Sequence, residues 1–131
     1  MGLVTWAECG GLLWLARALD GRPMVGALDA EARMTTRLRL GYREATATVD
    51  NPVLAAGGRL RGHEFHYTTV DPPGGALALR RRDGVAAEGF ASPTVLATYL
   101  HAHLGADPTP AERFVGVCAA VPAGTADATT P

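Results

Sequence analysis

The sequence contains no lysine; its twelve basic residues are all arginine. That absence excludes a P-loop lysine, a Schiff-base lysine and a Ser–Lys dyad from this polypeptide. If the chain serves ATP chemistry, another polypeptide segment holds the phosphates. Cysteine is scarce: Cys9 and Cys118 stand at opposite ends, too few for the disulfide framework of a small secreted domain. Neither sign of charge dominates, because thirteen acidic residues offset the basic ones and net charge is −1. A dedicated nucleic-acid binder would show a basic excess, so no nucleic-acid partner is expected. No stretch approaches the ~18 apolar residues of a membrane helix. The N-terminal apolar run meets Glu8 too early for a signal peptide, and Met1-Gly2 lacks the Ser or Thr of a myristoylation signal. The expectation is a cytoplasmic, thiol-reduced protein with no membrane partner, its 131 residues fitting one domain with one core.

What is present reads as mixed α and β. Gly2 to Ala7 is a short apolar strand that stops at Cys9-Gly10-Gly11. Leu12, Leu15, Ala16 and Leu19 follow at helical spacing, with Gly21 suited to the C′ position and Pro23 preventing continuation. Strand, tight turn and helix in that order are the geometry of a nucleophile elbow, with Cys9 at the turn. Leu38 to Val49 and Arg59 to Val70 read as long strands. Alternation in the second sets His63, Phe65 and Tyr67 on one face and Glu64 and His66 on the other. Asp83-Gly84 predicts a type I′ hairpin between strands 76–82 and 85–90. Val95 to His101 reads as a buried strand, with a short helix as the competing assignment. Thr109, Pro110 and Glu112 form a capping-box pattern for a helix to about Val121. Residues 122–131 are small, polar and proline-containing, and are expected to be disordered.

Cys9 is the sharpest chemical candidate. The positive end of the following helix is expected to lower its pKa. Gly10 and Gly11 allow close backbone approach, and the Gly10 amide can donate to an oxyanion. The bland alternative is a buried structural cysteine, which is the expectation for Cys118 on the apolar face of the last helix. His101 and His103 follow the buried strand, where a base can face a neighbouring strand's nucleophile. No metal site is expected, because His63 and His66 point to opposite faces of their strand. Glu64 can orient an imidazole or bind an ammonium group, or it can sit on a solvated face. Arg80-Arg81-Arg82 reads as a solvated turn in preference to an anion site.

Five segments occur in one order: Ala7-Glu8-Cys9-Gly10-Gly11, Leu40-Gly41-Tyr42-Arg43, Arg61-Gly62-His63-Glu64-Phe65-His66-Tyr67, Glu88-Gly89-Phe90 and Tyr99-Leu100-His101-Ala102-His103. Together they resemble the C-terminal glutaminase domain of the cobyrinic or hydrogenobyrinic acid a,c-diamide synthases, from about residue 2 to residue 120. The resemblance implies an α/β fold of the class I glutamine amidotransferase type, a sheet flanked by helices. It gives Cys9 the nucleophile's role and His101 the base's, with glutamine as the ammonia donor. The family's synthetase domain uses ATP and Mg2+ to activate two carboxylates of a corrinoid acid, so no cofactor is expected on this chain itself.

The resemblance also carries departures. Other class I amidotransferases place a glutamate two positions after the histidine; here that residue is His103. The third triad member is therefore unassigned, with Glu64 and Glu8 as candidates. The chain begins just before the nucleophile strand, so residues 1–121 are expected to be the C-terminal part of the domain without its N-terminal strands. Two other readings stay open: an inactive remnant or partner-dependent subunit, and an amidotransferase acting on another carboxylate such as cobyric acid.

Overall fold

The computed structural model describes residues 3–122; the expected disordered tail and the start of the first expected strand lie outside them, apart from Pro122. Strand β1 (Thr5–Glu8) leads through Cys9 into helix α1 (Gly10–Leu15). The helix is shorter than its apolar spacing predicts. Ala16 turns extended, and Ala18–Leu19 forms strand β2, joined by the Asp20-Gly21 turn to β3 (Arg22–Pro23). Asp20 and Gly21 both take positive φ, 49° and 75°, the combination a two-residue primed hairpin turn requires. Gly21 therefore serves a hairpin and not a helix cap. A helix of six residues has little intrinsic stability, and the sheet hydrogen bonds available to residues 17–20 end it.

Strand β4 (Glu31–Ala47) starts seven residues earlier than the pattern suggests. Its apolar alternation is interrupted by an irregularity between Met34 and Arg39 in the pairing with β5 (Arg59–Asp71). In β5 the expected alternation holds at every residue, odd positions exposed and even positions buried. Strands β6 (Leu77–Arg81) and β7 (Gly84–Glu88) form the expected hairpin one residue out of place: Arg81 pairs with Gly84, so Arg82-Asp83 makes the turn. Gly89 ends the run by taking φ 81°. Strand β8 (Phe90–Ser92) then pairs with β9 (Val95–Thr98), which runs parallel to β1.

The expected strand 95–101 is two strands. After Thr98 the chain leaves the β1–β9–β8 sheet, and β10 (His101–Ala102) joins the edge of the larger sheet beside β5. Helix α2 (Thr109–Ala120) closes the described chain. Pro108 stands at its N-cap, and the Asp107 carboxylate accepts the Thr109 amide at 2.9 Å. Thr109 is thus the first helical residue, and the expected capping box does not form. Cys118 is exposed, not core; Phe114 is the side chain that packs inward, against Trp6.

Successive residues of the small sheet feed two separate cores. Trp6 and Leu96 face a core with Ala45, Leu60, Leu77 and Leu79. Ala7 and Ala97 face another with Leu12, Ala32, Val70 and Tyr99. The period of two along a strand produces this division, and it clamps β1 and the elbow between the two packed layers. Among the described residues no helix is long and apolar enough to cross a membrane.

Candidate active site

Cys9 has φ 49° and ψ −102°, a backbone conformation that a non-glycine residue holds at a cost of roughly 1–3 kcal/mol. Two hydrogen bonds fix it: its amide donates to the Thr98 carbonyl at 2.8 Å, and its carbonyl accepts the Leu13 amide at 3.2 Å. The sharp turn lifts the half-buried thiol out of the strand direction, where it donates to the Phe65 carbonyl at 3.7 Å. Burial pushes the Cys9 thiol pKa up, the Gly10 amide opposes this, and the Glu8 charge adds to it. The expected lowering therefore does not occur. One backbone amide at the start of a six-residue helix does not offset desolvation, and the resting group is a thiol that needs a base.

Gly10 and Gly11 differ in what they do. A Cβ on Gly10 would meet nothing within 4 Å, whereas one on Gly11 would meet the Ala7 Cβ at 3.2 Å. Gly11 seats the helix on β1, and Gly10 leaves open space beside the sulfur with its amide toward it.

His101 reaches the same place from another direction. Its Nδ1 lies 3.2 Å from the His63 carbonyl, and its ring stacks on the His63 ring at 4.6 Å and 15°. With Nδ1–H donated to that carbonyl, Nε2 is left as the acceptor. The carbonyls of residues 61, 63 and 65 open on one edge of β5: Arg61 accepts the His103 amide at 3.0 Å, His63 takes the His101 ring, and Phe65 takes the Cys9 thiol. Neighbouring anchors on that edge are two residues apart, about 7 Å at the usual strand rise. The fold thus holds thiol and imidazole on adjacent carbonyls of one strand.

Glu8 and Glu64 take different places. Glu8 accepts the Ala102 amide at 3.0 Å, tying the strand that carries His101 to the residue before the nucleophile. Glu64 is fully buried on the opposite face of β5. It receives Arg43 Nε at 2.6 Å, Arg81 Nε at 3.0 Å and Nη2 at 2.8 Å, with His66 Nε2 at 3.2 Å. Burial alone would raise its pKa, but hydrogen bonds from His66, Arg81 and Arg43 hold it well below the carboxylate range. The imidazole it orients is that of His66, not His101, and the solvated-face alternative does not hold either. Among the described residues no three His, Cys, Asp or Glu side chains gather to hold a metal.

Residues 1–109 match the family model of the CobB/CobQ-like glutamine amidotransferase domain. The chain belongs to that family. It is 53% identical over 114 residues to a hydrogenobyrinate a,c-diamide synthase of Streptomyces coelicolor, a match covering 86% of this chain and 24% of the relative. A hydrogenobyrinate a,c-diamide synthase of Thermobifida fusca is 48% identical over 120 residues, covering 86% and 25%. A cobyrinate a,c-diamide synthase of Synechococcus is 40% identical over 126 residues, covering 89% and 28%. The chain spans about a quarter of the length of these relatives.

Two features of this CobB/CobQ-like domain escape a reading of side-chain types. A Cβ on Gly62 would overlap the His101 carbonyl, so only glycine lets β10 lie against β5. Glu88, also buried, accepts from the Thr98 hydroxyl and from the Tyr99 amide at 3.1 Å, while Thr98 Oγ1 accepts the Leu100 amide at 3.0 Å. It shapes the crossover that delivers His101. A lone carboxylate after Val85-Ala86-Ala87 was the available signal, and it points to a buried partner in preference to solvent.

Proposed function

We propose that this chain carries the glutamine-hydrolysing site of a corrinoid acid a,c-diamide synthase. Cys9 is the nucleophile, His101 the base, and the Gly10 amide a donor to the oxyanion. The observation that carries this reading is the strained Cys9 turn, set one carbonyl along β5 from the anchor of His101. His101 Nε2 takes the thiol proton as sulfur attacks the carboxamide carbon of glutamine. The same proton passes to the amide nitrogen, the C–N bond breaks, and ammonia leaves a thioester on Cys9. Water, deprotonated by His101, then releases glutamate and restores the thiol. His63 supplies through its backbone the orientation that a carboxylate supplies in a Cys–His–Glu triad.

Hydrogenobyrinate and cobyrinate are the acceptors named for the relatives, and we assign a corrinoid acid as the acceptor here. ATP and Mg2+, which activation of a carboxylate requires, belong in this reading to the part of the relatives that this chain does not span; a chain without lysine offers no P-loop lysine. Glutamate formed from glutamine is the direct readout. Cys9→Ala is expected to abolish it and His101→Ala to lower it at least a hundredfold. Undiminished hydrolysis by the Cys9→Ala protein would refute the assignment.

A further inference from the structure

An open groove of about 830 Å3 runs along β4, between the end of β5 and the tip of the β6–β7 hairpin. Arg43, Arg61, Arg80, Arg81 and Arg82 line it, and Glu44 is the one carboxylate in the lining. Beneath the floor lies Glu64, which neutralises one of the two guanidiniums it binds. The groove therefore holds an excess of three positive charges in a chain whose net charge is −1. Arg59 and Arg61 approach Glu44 only at 3.8 and 3.9 Å with exposed side chains, too loose and solvated to quench the field. The floor is prearranged: Arg43 is fixed by Glu64 and by the Tyr42 and Leu40 carbonyls. A Cβ on Gly41 would overlap that guanidinium.

Two further facts narrow the ligand. Tyr42 is 90% exposed and Leu40 61%, so an aromatic ring and an aliphatic side chain stand uncovered beside the arginines. His63 lines the groove and also stacks on His101, so the groove opens next to where ammonia would be released. We propose that this groove binds the carboxylate-bearing edge of the amide acceptor, a flat-bodied polycarboxylate whose apolar face lies on Tyr42 and Leu40. The proposal rests on the acceptor class assigned above, and it reverses the expectation that the arginine run is only a solvated turn. Guanidiniums pair with carboxylates in fork geometry, and the volume is within the range of small-molecule sites.

Calorimetric titration of the chain with hydrogenobyrinic acid at low salt tests it. We expect binding that weakens at least tenfold in the Arg80→Ala/Arg82→Ala protein, and again when salt is raised to screen exposed charges. Arg33→Ala, an exposed arginine outside the groove, is expected to leave affinity unchanged. The fully esterified acid is expected not to bind. Equal affinity in the double variant, equal binding of the ester, no binding of the acid, or tighter binding of inorganic tripolyphosphate would each overturn the proposal. Glutamine hydrolysis, measured on the same proteins, separates the two readings: it is expected to persist in the double variant and to vanish in Cys9→Ala, which should still bind the acid.

Discussion

Strain at Cys9 links stability to chemistry at a single residue. Glycine adopts φ 49°, ψ −102° with far less penalty than any L side chain. Cys9→Gly is therefore expected to be more stable than Cys9→Ala by about 1 kcal/mol, a Tm difference of roughly 3–6 °C, with both inactive. Equal melting temperatures would show that the turn is relaxed. Cys9, His101 and the Gly10 amide were legible from residue types and order. The direction of the thiol's pKa was not, because desolvation depends on packing from β5 and β9 that no local pattern displays. Nor was the partner of Glu64: alternation placed it opposite His63, but the two arginines that bury it come from β4 and β6.

Elements carry the next part of the account. The strand pattern of β5 and the β6–β7 hairpin followed from alternation and turn residues. The end of α1 and the split of residues 95–102 did not, since both depend on which neighbouring strand offers hydrogen bonds. Gly62 is where that dependence can be tested. Gly62→Ala forces β10 off β5, because the new Cβ meets a backbone carbonyl and no side chain that can swing away. Glutamine hydrolysis is expected to fall at least tenfold, with far-UV circular dichroism unchanged because β10 has only two residues. Gly10→Ala, where a Cβ meets nothing, is expected to melt like the parent; a Gly62→Ala protein with full activity would remove β10 docking from the account.

At the scale of the whole molecule, two buried carboxylates set opposite pH trends. Glu64, bound by cations, has a folded pKa below its ordinary 4.5. Its stabilisation is present above that pH and fades as pH falls. Glu88 is raised from 4.5 to about 6 by burial, against hydrogen bonds from Thr98 and the Tyr99 amide and with the Glu64 charge adding to the rise. Its contribution is complete below 4.5 and is lost as pH rises through 6, about 2 kcal/mol in all. Melting temperature is expected to decline from pH 5 to pH 7. Glu88→Gln should flatten that decline, since an amide can accept from Tyr99 and donate to Thr98 without titrating. A decline of the same slope in Glu88→Gln would assign the pH dependence elsewhere. Glu64→Gln leaves two guanidiniums facing a neutral amide and is expected to cost about 3–5 kcal/mol.

The two free thiols of the described structure make the central claim directly measurable. Cys118 is exposed on α2, and Cys9 is half-buried at the elbow. The glutamine analogue 6-diazo-5-oxo-L-norleucine should alkylate Cys9 and spare Cys118, as read by peptide mass spectrometry, and His101→Ala should slow the labelling at least tenfold. Labelling confined to Cys118, or labelling of Cys9 at the same rate without His101, would contradict a Cys9–His101 glutaminase site.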